Sequence, residues 1–247
     1  MIDSHTLSRN RLLATLRQPD VDLLLPALSL HQCQTGKILQ EAGSNVTHVW
    51  FPCGEAAAAF VVAADDNHVV DTALIGSEGA IGGIVSSGRL PAFARAHVQF
   101  GGPFLRMHLE ALAKAKTESP SIAHCFARYS DCLVAQLFQS AACNASHTIV
   151  QRLARWLLAT RDRTGSDDIA ITQEQLGEML GVGRSFINRS LRQLTHRGML
   201  ASRRRHIIIT DLEKLRATAC GCNDRIRHHF DTILAGVYPS EQDALVK

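Results

Sequence analysis

The segment TQEQLGEMLGVGRSFINRSLRQLTHRGMLASRRR, Thr172 to Arg205, decides the reading of this 247-residue chain. It runs as a helix, a glycine turn, a second helix and a basic hairpin. Thr172 precedes Gln175 by three residues, the spacing at which a hydroxyl caps a helix while the amide side chain reaches back to the capping residue. Leu176, Met179 and Leu180 fall on one face, so the short first helix buries one side. Gly181 and Gly183 bracket Val182, and glycine supplies the positive-φ backbone that a sharp turn between helices needs. In the second helix Ile187, Leu191 and Leu194 recur at i, i+4 and i+7 and face inward. That leaves Arg184, Ser185, Asn188, Arg189 and Arg192 on or near the outer face. Gly198 follows as a helix-ending residue. Arg203, Arg204 and Arg205 then precede the β-branched run Ile207 to Thr210, as in a hairpin with a cationic tip.

Charge is distributed unevenly around this segment. Between Thr148 and Asp211 eleven Lys or Arg stand against six Asp or Glu, whereas residues 1–117 carry nine against ten. The basic excess therefore sits with the helix pair, and a cationic outer face on a helix of this length suits phosphate contact and entry into the major groove of DNA. The competing reading takes the pattern as a structural helical hairpin. The chain is then a ligand-binding module coupled to a protein partner, and salt-sensitive retention on duplex DNA separates the two.

Hydrophobic residues make up 46% of the chain, enough for one or two substantial cores, and the split in charge favours two. The longest apolar run, Ala56 to Ala64, is nine residues, far short of the roughly 20 that span a bilayer. The opening MIDSHTLSRNRLL has no apolar signal-peptide segment, so a cytoplasmic protein without membrane contact is expected. Seven cysteines, an odd number scattered along the chain, indicate reduced thiols rather than a secreted disulfide framework. No nucleophile carries a recognisable local motif, so the chain does not read as an enzyme.

Residues 8–30 read as a pair of short helices. From about residue 33 to 110 short apolar segments follow: Val46 to Phe51, Ala57 to Val62, Val69 to Ile75 and Ala94 to Phe100. Turn signals at Gly36, Gly43 with Ser44, Asp65 to Asn67, Gly76 and Gly101 with Gly102 separate them, which indicates a β-sandwich or barrel. The fold class is α+β. After Pro120 a long helix is expected to about Asn144, in which Phe126, Tyr129, Leu133, Gln136 and Ser140 have the 3, 4, 3, 4 spacing of a coiled-coil seam. These five are the expected dimer interface. A supporting helix over His147 to Arg163 places Ile149, Leu153, Trp156 and Thr160 along one face. Asp211 caps a last helix, and the tail from Gly221 onward shows no clear structural pattern, which leaves its order open.

The segments LIGSEGAIGG (Leu74 to Gly83), QSAACNASHTIVQRLARWLL (Gln139 to Leu158) and LTHRGMLASRRR (Leu194 to Arg205) resemble the Crp/Fnr family of bacterial transcription regulators, in a branch distinct from the cyclic-AMP receptors. The resemblance covers roughly residues 9–220. It implies a cyclic-nucleotide-binding-like sensory β-roll over 1–118, a dimerisation helix over 119–146, a winged helix-turn-helix over 147–220 and a tail over 221–247. It also implies a homodimer on a near-palindromic DNA operator, one recognition helix per half-site, and contact with RNA polymerase. Arg184 and Arg189 match the family's recognition-helix arginines, of a kind able to pair with guanine O6 and N7. Ser185 stands where many relatives carry a base-reading glutamate, so a different operator is expected. Gln173 and the arginines 203, 204 and 205 are candidate phosphate contacts. The wing lacks its usual glycine, with Arg205 or His206 at the tip, which predicts a longer or strained hairpin.

The family's cyclic-nucleotide cassette is not intact. Gly82 is followed by Gly83 rather than glutamate, and Leu90 and Pro91 stand where an arginine and a hydroxyl residue bind phosphate, although Arg89 and Arg95 lie nearby. An unpaired phosphate is costly to bury, so tight cyclic-AMP binding is not expected. Cys33 and Cys53 are too far apart for the family's amino-terminal iron–sulfur cluster, and haem has no signature, so no cofactor is predicted. Cys125, Cys132 and Cys143 share one face of the long helix because separations of 7 and 18 are nearly whole turns. They are candidate redox thiols across the seam, or small hydrophobes packed in it. Cys220 and Cys222 with His228 and His229 are a weak metal candidate, since their single-residue Cys spacing is unusual for zinc, and no metal is expected.

Overall fold

The computed structural model describes residues 4–63, 69–86 and 88–238. The turn expected at Asp65 to Asn67 lies outside them. Helices α1 (Ser4–Ser8) and α2 (Gln18–Leu24), with tight single turns at Leu13–Thr15 and Leu25–Ala27, form the leading helical piece. Seven strands follow: β1 (Ser29–Cys33), β2 (Ile38–Gln40), β3 (His48–Pro52), β4 (Ala57–Ala63), β5 (Val69–Ile75), β6 (Arg95–Phe100) and β7 (Gly102–His108). They form two antiparallel sheets, β1-β7-β3 and β2-β6-β4-β5. The four segments read as strands from sequence coincide with β3 to β6. Strand β7 does not, because only Gly101 turns the chain: Gly102 already pairs with Cys33, and Pro103 faces Gln32 within the ladder.

Helix α3 (Leu109–Glu118) leads to α4 (Pro120–Ser146), whose start is set by the Ser119 hydroxyl accepting from the Ile122 amide at 3.2 Å, with proline in the first turn. Helix α5 (Ile149–Thr164) opens on a reciprocal cap between Thr148 and Gln151 and closes on Gly165 in the left-handed region. Strand β8 (Asp168–Ala170), helices α6 (Gln173–Leu180) and α7 (Arg184–His196), strands β9 (Leu200–Arg203) and β10 (His206–Ile209) and helix α8 (Leu212–Thr218) complete a winged helix-turn-helix with its own core. Leu153, Leu157, Leu176, Ile187, Leu194 and Ile207 are buried there. Asp211 caps α8 by accepting from the Lys214 amide at 3.0 Å.

Two expectations need correction. The stretch from Gly221, set apart as a tail without clear pattern, is in fact helical: α9 (Cys222–Ala235) folds back along α4. Its Ile226 and Phe230 join the core of the β-roll, and the Phe230 ring meets Tyr129 edge to face at 6.3 Å. The Arg128 guanidinium donates to the Ile233 carbonyl at 2.7 Å, closing the end of α9. The second correction concerns the stripe taken as a dimer seam. Phe126 and Tyr129 have no exposed surface, Gln136 is buried, and Leu133 and Ser140 are half-buried. Phe126 packs on Phe51 at 6.2 Å, and Tyr129 bonds the backbone at Ala80, so this face of α4 belongs to the protomer's own β-roll. The exposed large apolar residues of α4 are instead Val134, Leu137 and Phe138, respectively 46%, 47% and 72% exposed.

Candidate nucleic-acid interface

The turn between α6 and α7 is compact for two local reasons. Gly181 ends α6 at φ +62, a conformation that side chains with a Cβ rarely adopt, while Gly177 lets the Val182 carbonyl approach so closely that a Cβ would lie 2.8 Å from it. Gly183, read from sequence as a second positive-φ residue, is an ordinary extended N-cap at φ −64. The reciprocal cap of Thr172 and Gln175 forms as expected, with the Gln175 amide donating to the Thr172 hydroxyl at 3.2 Å and the Thr172 amide donating to the Gln175 side chain at 2.9 Å. At the far end of α7, Gly198 adopts φ +73, its amide donating to Thr195 and that of Met199 to Leu194. These two bonds satisfy the last carbonyls of the helix.

With Ile187, Leu191 and Leu194 buried, α7 turns Arg184, Ser185, Arg189 and Arg192 to solvent, with Asn188 half-buried beside them. Sequence reasoning missed Phe186, which is half exposed, with the Arg189 guanidinium 5.8 Å from its ring. Its signal was available: an aromatic residue displaced from the buried stripe.

The wing is short and strained rather than long. His206 faces Arg203 across the hairpin, so Arg204 and Arg205 alone form the tip, and Arg205 has φ +61, the one positive φ outside glycine among the described residues. Holding such a residue there costs roughly 1 kcal/mol. The Arg205 carbonyl accepts from the Ile171 amide at 2.9 Å, which ties the tip to the start of α6. As a result Gln173, Arg184, Arg203, Arg204 and Arg205 line one concave recess of about 290 Å3. Among the described residues none of the arginines 184, 189, 192, 203, 204 and 205 forms an ion pair. Glu174 is the one acidic residue lining the recess, so the surface carries a net excess of positive charge, which suits a polyanion.

Residues 151–218 match the Crp-like helix-turn-helix domain family. No curated protein matches the chain in sequence. Solved structures do match it in fold. FixK2 from Bradyrhizobium japonicum superposes with a TM-score of 0.67 at 16% identity, over 78% of this chain and 98% of that one. A putative Crp/Fnr transcriptional regulator from Eubacterium rectale gives 0.66 at 16% identity, over 84% and 96%. The c-di-GMP responsive global regulator CLP of Xanthomonas campestris gives 0.65 at 13% identity, over 79% and 100%. The chain carries a Crp-like helix-turn-helix domain on a Crp/Fnr-type fold. Among the described residues no helix is long and apolar enough to cross a membrane.

Around Gly83, where the sequence resemblance sets the family's phosphate cassette, the β-roll is packed with apolar groups. Leu90 and Leu109 crowd Gly83, so that a Cβ there would lie 2.8 Å from the Leu90 side chain and 3.0 Å from that of Leu109. Pro91 bridges to Asn45, whose side chain accepts from the Leu90 amide at 2.6 Å. Arg95 is paired with Glu41 at 2.8 Å, and Arg89 is exposed.

The cysteine stripe is placed differently from expectation. Cys125 and Cys132 point into the protomer's own core, and burial pushes both thiols up to about 11, which makes them poor nucleophiles at neutral pH. Cys143 leaves the stripe to join Cys220, Cys222 and His147. His228 is exposed and His229 half-buried on α9, and neither belongs to that group.

Proposed function

We propose that the chain is a homodimeric transcription regulator that binds a near-palindromic operator with one α7 in the major groove of each half-site, in contact with RNA polymerase. The observation that carries the reading is the shared recess, in which α6, the start of α7 and the wing present Gln173, Arg184, Arg203, Arg204 and Arg205 together. Arg189, Arg192, Asn188 and Ser185 read bases from the exposed face of α7, and the wing arginines hold phosphates. The dimer seam is the exposed face of α4: Ala127, Ser130, Val134, Leu137, Ala141 and Asn144 keep the 3, 4, 3, 4, 3 spacing of a coiled coil.

Binding selections with wild type and variants test the assignment. Arg189→Ala should relax preference at one position of each half-site by about 1–3 kcal/mol, whereas Arg203→Ala should weaken all sequences alike and flatten the salt dependence. Identical behaviour of the two variants would contradict the division of roles. The packed cassette supports a signal other than cyclic AMP. Calorimetry should detect no tight cyclic-AMP binding, and a low-micromolar isotherm would refute this.

A further inference from the structure

Where α4 ends, α5 begins and α8 passes into α9, four metal-ligating side chains converge from distant parts of the chain. Cys143 lies in the last turn of α4, His147 caps that helix, Cys220 sits in the α8–α9 link and Cys222 opens α9. Their ligand atoms all lie within 4.8 Å of one another. The Cys143 and Cys220 sulfurs are 3.5 Å apart, and the Cys222 sulfur is 3.7 Å from His147 Nδ1. We propose that Cys143, His147, Cys220 and Cys222 form a tetrahedral site for one borderline divalent cation, zinc above all.

The spacing selects this reading over its rivals. Around one tetrahedral zinc with Zn–S near 2.3 Å and Zn–N near 2.0 Å, sulfurs lie about 3.8 Å apart and sulfur to nitrogen about 3.5 Å. Thiolates on the separate irons of an iron–sulfur cluster are held farther apart than this group allows. A disulfide needs its sulfurs at about 2.05 Å and would engage only two of the four residues. The three cysteines also form a buried cluster of their own, apart from the aliphatic cores, so packing alone does not account for bringing them together.

The surroundings fit the bound state. Zinc with three thiolates and a neutral imidazole carries a net charge of −1, and the guanidiniums of Arg152 and Arg155 on α5 act on Cys143 with the sign that favours thiolate. Gln139 on α4 donates an N–H to the Cys222 sulfur at 3.2 Å, an outer contact of the kind that orients a ligand. Zinc takes cysteine as thiolate, so binding releases thiol protons to solvent and affinity rises with pH. The ion would fasten α9 to the junction of α4 and α5, the joint between the long helix and the DNA-binding domain.

The test is metal analysis of the full chain purified under reducing conditions and supplied with zinc, then with cobalt. One ion per chain is expected, with the visible and near-ultraviolet bands of tetrahedral, thiolate-bound cobalt. Cys220→Ser and Cys222→Ser should lower affinity at least 10-fold, and Gln139→Ala about 10-fold. His147→Cys should keep the ion and strengthen the thiolate-to-cobalt band, a readout that misfolding would not produce. His228→Ala and His229→Ala should change nothing. Full stoichiometry in a Cys143→Ser/Cys220→Ser double variant, no uptake by the reduced wild type, an iron–sulfur spectrum, or a Cys143–Cys220 disulfide resistant to reductant would each overturn the proposal.

Discussion

Tyr129 shows how one side chain joins the long helix to the β-roll. Its hydroxyl accepts from the Ala80 amide at 2.9 Å and donates to the Ala80 carbonyl at 3.0 Å, satisfying both backbone polar groups of one residue inside the core. Gly79 makes room for it, since a Cβ at that position would collide with the hydroxyl. The segment LIGSEGAIGG is therefore informative for a steric reason that its spelling does not disclose. Tyr129→Phe keeps the ring but leaves two buried backbone groups unpaired, and should cost about 1–3 kcal/mol in denaturant unfolding. A change under a few tenths would mean that water replaces the hydroxyl, and that the residue does not lock the helix.

At the scale of elements, α4 explains what sequence could and could not say. The expected seam and the exposed face have the same heptad spacing, displaced by one residue, which is a rotation of 100° about the helix. Both faces of α4 are apolar, so periodicity reveals two stripes without telling which one meets the β-roll. The difference is settled by Phe51, by the backbone at Ala80 and by Phe230, all distant in sequence. The helix-turn-helix was legible because its caps, turn glycines and apolar spacing are local. Helix α9 was overlooked although Cys222, Ile226, Phe230 and Ile233 follow helical spacing, because exposed charges and histidines lie between them. The grouping of Cys143 and His147 with Cys220 and Cys222 depends on α9 folding back, and no local pattern encodes that. The two faces of α4 should respond differently to substitution. Leu137→Arg with Phe138→Glu should shift sedimentation toward monomer without lowering protomer stability, since both side chains are already exposed. Phe126→Ala should instead destabilise the fold by about 3–5 kcal/mol before any dissociation. Dissociation caused by the inner residue alone would return the seam to the first stripe.

Across the whole molecule the DNA-binding domain is held against the β-roll by a small set of polar contacts. Arg163 at the end of α5 pairs with Glu78 at 2.7 Å, both almost enclosed, and α6 packs along β5. Beside them a cavity of about 260 Å3 is lined by Asp71 of β5, Arg155 and Arg163 of α5, and Met179 and Leu180 of α6. Burial, followed by the nearby Glu178 carboxylate of α6, pushes Asp71 up to about 7 from its usual 3.8. The sign of the linkage follows from that rise. Below the ordinary value Asp71 is protonated whether or not the domains are docked, so it contributes no pH dependence there. Between about pH 4 and pH 7 the docked form holds a proton that the undocked form has released, so docking weakens steadily as pH rises. Above that window the cost of a partly buried carboxylate near another carboxylate is present in full. Asp71→Asn should therefore abolish the pH slope between 4 and 7 and tighten docking at pH 8. Hydrogen exchange at the amides of α6 and β5 reads both effects, and a slope unchanged in the variant would assign the titration to another group at the same contact.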